Sequence, residues 1–141
     1  MLAEVEKAIV SRLSEQVRGV KILPFPESPA DFGKPISSAT LFVGFKQERL
    51  EAPPGINPQR ILIQPRTLEY DIVFRLKDLR SHTSVYPVID HVRDALSGFD
   101  TKVHGVFPLY ELQSGFVAVV DSLWLYTATF ACSAPYLRKV L

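Results

Sequence analysis

Apolar positions recur along residues 2–18 at three- and four-residue steps, at Leu2, Val5, Ile9, Leu13 and Val17. Glu4, Lys7, Arg12, Glu15 and Arg18 fill the other faces. This spacing predicts an amphipathic helix with one buried stripe, closed by Gly19. Residues 24–35 then carry prolines at 24, 26, 29 and 35 with Gly33, which predicts an irregular connection. A strand is expected over residues 38–48, with Leu41, Val43 and Phe45 on one face and Phe42 between them. Residues 51–59, EAPPGINPQ, hold three prolines and a glycine and form a loop.

Residues 60–77 are long enough for one extended strand with a break at Pro65. Leu68, Tyr70, Ile72, Phe74 and Leu76 point one way; Thr67, Glu69, Asp71, Arg75 and Lys77 point the other, with Val73 the exception. That alternation predicts an antiparallel strand with one wet face. A second helix is expected over residues 85–97, with Val85, Val88, Ile89, Val92 and Leu96 as its stripe. Ser84 can cap it, Pro87 suits its first turn, and Gly98 ends it. Two further strands, residues 103–113 and 116–133, are expected to meet at a tight Ser114-Gly115 turn. Trp124, Tyr126, Ala128, Phe130 and Cys132 share a face of the last one.

Two helices and a hairpin-rich sheet bury their apolar faces most economically on each other. The expected fold class is α+β: a mainly antiparallel sheet of about four to five strands with two helices packed on one face. Residues 1–141 are expected to form one domain. The opposite sheet face, with Phe42, Val73, Phe107 and Leu125, is less polar than a monomer would want, and such a face usually meets a partner.

Sixteen basic and 15 acidic residues among 141 leave a formal charge of +1, so no stable nucleic-acid binding is expected. The apolar share of 47% against 22% charged residues supports a buried core and excludes wholesale disorder. Cys132 is the only cysteine, which excludes an intrachain disulfide. The longest apolar runs fall far below membrane-spanning length, and Glu4, Glu6 and Lys7 stand where a signal peptide needs apolar residues. Neither membrane association nor export by a leader is expected; release would be by lysis or within a particle.

Candidate chemistry is sparse. The chain has no G-x-S-x-G elbow, phosphate loop, G-x-G-x-x-G or H-E-x-x-H. His91 and Asp94 are neighbours on the second helix, yet no spacing advertises the further ligands that a metal needs. His82 and His104 bring no recognisable companions. Cys132 lies in an aromatic strand, where a buried inert thiol is expected. Trp124, Tyr126 and Phe130 could stack nucleic-acid bases, but core packing explains them and no Lys/Arg series is interleaved. Arg75, Lys77 and Arg80 with Asp78 read as a solvated strand end. No catalytic residue, cofactor or metal is therefore assigned, and an enzyme is not expected.

One stretch is more specific: RILIQPRTLEYDIVFRLKDLRSHTSVYPVIDHVRDALSGFD, residues 60–100, followed by the W-x-Y strand at Trp124 and Tyr126. A Q-x-R-T strand leads into an alternating strand and L-R, then a Y-P-x-I-D-x-x-R helix and an L-x-G-F end. With the N-terminal helix and the W-Y-x-x-x-F ending, this order resembles the small tail-terminator proteins of Mu-like contractile phages and related contractile injection particles. The resemblance implies a homo-oligomer, commonly a hexameric ring, that caps the head-proximal end of the tail. It implies tube, sheath and neck proteins as partners, assembly in the host cytoplasm and residence in the virion tail or particle. A ring needs two different patches on each subunit. The 51–59 loop is a candidate assembly surface, with Pro53, Pro54 and Ile56 for apolar contact and Glu51 and Arg60 for charge pairing at the rim. The plainer alternative is a solvent-exposed hairpin connection. A rival to the whole reading is a monomeric binding domain that captures a peptide along an exposed sheet edge.

Overall fold

Alternate residues of one central strand, Leu68, Tyr70, Ile72, Phe74 and Leu76, are all buried, and both helices pack over them. A computed structural model describes residues 1–26, 39–76, 85–120 and 123–140, with backbone alone at 119, 120, 123 and 124. Its elements are α1 (Leu2–Gln16), β1 (Lys21–Pro24), β2 (Thr40–Leu50), β3 (Ile61–Gln64), β4 (Arg66–Leu76), α2 (Tyr86–Leu96), β5 (Tyr110–Val120), β6 (Leu123–Ser133) and β7 (Tyr136–Lys139). The large sheet runs β1-β2-β4-β6-β5, antiparallel except for the β1–β2 pair, and β3 and β7 form a second, two-stranded sheet. The expected α+β class is therefore observed.

The stripe of α1 contributes Val5, Ile9, Leu13 and the adjacent Val17 to the core, while Leu2 stays partly exposed. The helix ends at Gln16, two residues before the expected Arg18, and Gly19 takes a left-handed φ of 80° in the turn that follows. From α2, Val92, Ala95 and Leu96 are buried together with Val85 at its N-cap, whereas Val88 and Ile89 pack at the periphery. Pro87 sits in the first turn as expected. Arg12 joins the helices: its Nε donates to the Ala95 carbonyl at 3.0 Å, and its guanidinium lies 5.1 Å from the Phe99 ring centre. A cation there meets the negative end of the α2 dipole.

Three expectations are corrected. Ser114 and Gly115 are not a turn; they pair with Ala128 and Thr127 inside β5, which runs on until Val120 pairs with Leu123. Strand β5 begins at Tyr110, so Phe107 sits in the preceding loop, exposed, and not on the outer sheet face. That face is not wet along β4: Glu69 and Arg75 are buried, while Asp71 and Val73 are half-buried. Glu69 is held there by Arg49 Nε at 2.6 Å and by the Gln47 amide, and Asp71 accepts a hydrogen bond from Thr129 Oγ1 at 2.6 Å. Such pairing offsets the cost of removing carboxylates from water. The expected break at Pro65 is observed, and the two halves of residues 60–77 join different sheets. Phe42 is buried and Leu125 half-buried on the outer face. Phe25 from the segment after β1 lies against Gly44, where any side chain would collide with its ring. Lys77, Asp78, Arg80, His82, Ser84 and most of the proline-rich 24–35 connection lie outside the described residues.

Candidate assembly surface

The 51–60 loop leaves β2 and folds back on β3 as a pinned structure. At its base the Glu51 amide donates to the Pro65 carbonyl at 3.1 Å, and Gln64 Nε2 donates to the Glu51 carbonyl at 3.2 Å. At its far end the Asn57 side chain accepts from the Ile61 amide at 2.9 Å, and the Arg60 amide donates to the Asn57 carbonyl at 2.9 Å. This local pairing explains why Asn sits at 57, because a short polar side chain can substitute for a backbone turn bond. Arg60 adopts a left-handed φ of 63°, which side chains other than glycine rarely take. Its carbonyl receives the Val140 amide at 2.7 Å, which ties the loop to the strand following it and to the end of β7.

Glu51, Pro53, Pro54, Ile56 and Arg60 are all exposed, as an assembly surface requires. Pro54 and Ile56 come together with Gly55, Asn57, Ile61 and Ile63 around an open, apolar groove of about 240 Å³. Ile56 also bridges to Leu62. Glu51, Pro53 and Arg60 lie outside that groove. Sequence reasoning missed the neighbouring small sheet, which extends the apolar surface: in register Ile63 faces Leu137, and Leu137 is 63% exposed. Arg138 and Lys139 add exposed positive charge beside it. The available signal was the four-residue run Tyr136-Leu137-Arg138-Lys139 just after Pro135, with its apolar pair outside any helical or long-strand pattern.

Groups able to do chemistry do not converge among the described residues. Among the described residues no cluster of three or more His, Cys, Asp or Glu side chains could hold a metal, and His91 and His104 are exposed. Cys132 is fully buried; burial pushes its thiol up to about 11, against a smaller opposing effect of Arg66. A thiol held neutral is a poor nucleophile. No helix among the described residues is long and apolar enough to cross a membrane. The arrangement is suited to apolar and electrostatic contact with another protein.

The fold has a counterpart among solved structures. It is similar to the sheath/tube terminator of an extracellular contractile injection system, PVC, solved by electron cryo-microscopy in the extended state. The two share 11% sequence identity and superpose with a TM-score of 0.57 over 99% of this chain. The match takes in 57% of that terminator's length. By sequence the chain belongs to the Gp37 protein family, which matches residues 9–140. No curated protein matches it. The likeness to contractile-tail terminators read from residues 60–100 and the Trp124–Tyr126 strand is thus met again in three dimensions.

Proposed function

We propose that the chain is a structural tail terminator whose copies close into a ring, commonly six, on the head-proximal end of a contractile tail. In that position it stops tube and sheath growth and offers a surface to the neck. The observation that carries the reading is the superposition of 99% of the chain on a protein that terminates a sheath and tube. An exposed apolar groove and small sheet flanked by basic residues support it, because subunit contacts need such surfaces. The role is mechanical and not catalytic. The protein would assemble in the host cytoplasm and remain in the tail of the virion or injection particle.

The 51–60 loop acts in this reading as a preordered contact. Pro53, Pro54 and Pro58 restrict its backbone before any partner arrives, so less conformational entropy is lost on docking. Replacing residues 52–58 by a tight Asn-Gly turn tests this. The shortened chain should melt as the parent does but fail to form rings or limit tube length. Normal rings and normal tube length would remove the loop from the mechanism.

A further inference from the structure

We infer that β7 of one copy adds along the outer edge of β5 of the next copy, joining the small sheet of each subunit to the large sheet of its neighbour. The inference rests on the ring reading above and specifies its subunit contact.

Strand β5 is the terminal strand of the large sheet and runs for 11 residues, YELQSGFVAVV, without a lysine, arginine or proline. Terminal strands normally carry such residues, or stay short, because a bare edge pairs with other chains. The opposite edge obeys the rule: β1 has four residues, begins at Lys21 and ends at Pro24. Strand β5 does not, and Leu112 and Val117 are 45% and 56% exposed along it. Its register shifts between Glu111 and Gln113 and again between Phe116 and Ala118, leaving a regular stretch of four residues, 113–116, between the irregularities.

Strand β7 matches that stretch in length, with four residues, all exposed. It belongs to a sheet of two strands, which is marginal without a third strand or a packed face. The side of β3 away from β7 already receives the Ile56–Leu62 bridge, so a third full strand would come to the outer edge of β7. Charge selects the same partner. Arg138 and Lys139 are exposed on β7. Glu111 on β5 stands with Asp90 and Asp94 of the adjoining α2 around Arg93, three carboxylates to that one guanidinium. Symmetry completes the choice. Strands β7 and β5 are different elements, so their contact is head-to-tail and can close a ring, whereas β5 on β5 would stop at a two-fold pair.

The test is cysteine cross-linking of the full chain in the presence of its tube subunit. Leu137→Cys is combined in turn with Gln113→Cys, Phe116→Cys and Val117→Cys, since a disulfide forms only when Cα atoms come within about 7 Å. Buried Cys132 should not compete. At least one pair should give a ladder of disulfide-linked multimers ending at the closed ring, while each variant with only one added cysteine stays monomeric on a non-reducing gel. Rings visible by electron microscopy without a ladder from any pair would overturn the strand pairing and leave the ring reading standing. Dimers from Val117→Cys alone would overturn it in favour of β5 self-pairing. Absence of rings from the parent chain with tube subunit present would remove the ring reading and the pairing with it.

Discussion

Arg93 of α2 grips Glu111 of β5 through two parallel hydrogen bonds, Nε to Oε2 at 2.9 Å and Nη2 to Oε1 at 2.8 Å. The hydrogen bond and charge of Glu111, with smaller help from Asp90 and Asp94, raise the guanidinium pKa above its ordinary value. Planar two-point pairing of this kind fixes geometry as well as adding energy. Here it secures the terminal strand to the helix layer. Arg93 is nearly half exposed, so solvent screens the pair, and Arg93→Ala should cost only about 1 kcal/mol. Urea melts at low and high salt should show the parent–variant difference shrinking as salt rises.

The core account predicts unequal costs along α2. Leu96 is fully buried among α1, α2 and sheet residues, so Leu96→Ala should destabilise by about 2–5 kcal/mol. Val88 packs only at the periphery, and Val88→Ala should cost well under half as much. Equal losses in a denaturant titration would contradict this placement of the helix.

Gly44 is predicted to tolerate no side chain while Phe25 remains. A Cβ at 44 would collide with the Phe25 ring, which cannot bend away as a flexible side chain could. Gly44→Ala should therefore cost about 1–3 kcal/mol, and Phe25→Ala should absorb most of that penalty in the double variant. Additive losses would show that the two residues do not touch.

The Cys132 thiol gives a pH prediction. Its pKa is raised by burial from 9.0 to about 11, so the folded chain retains a proton that the unfolded chain gives up. The stabilisation is complete below about pH 9 and fades as pH rises towards 11. Tyr70, raised chiefly by burial from 10.0, adds a loss of the same sign that begins above about pH 10. Thermal melts from pH 8 to 11 should fall less steeply for Cys132→Ala than for the parent, whatever the variant's starting stability. A thiol reagent at pH 8 should label Cys132 only as fast as the chain unfolds.

What the sequence made legible was the side of the fold governed by periodicity. The Leu68-to-Leu76 alternation and both helical stripes identify the core because one face of each element is dry. Prolines at 53, 54 and 58 marked the loop for the same local reason. The Ser114-Gly115 misreading has a different origin. Turn chemistry at Ser114-Gly115 is a local signal, and tertiary pairing overrides it: β6 must match β4 from Thr67 to Leu76, so β5 runs on past Gly115. Burial of Glu69 and Arg75 was equally out of reach. Alternation says which way a side chain points, not what lies over it. The small sheet escaped because four residues are too few to display a period, and with it Ile61, Ile63 and Leu137 of the candidate surface were missed.

The central claim is most directly tested by the length of tubes grown with and without this protein. Purified tube subunit from the same particle is allowed to polymerise, the chain is added at a small fraction of the tube concentration, and tube lengths and ends are measured by electron microscopy. Termination predicts a ring of added density at one end only and no elongation from that end when fresh subunit is supplied. Tubes that keep growing at both ends, with no density bound at either, would contradict the account.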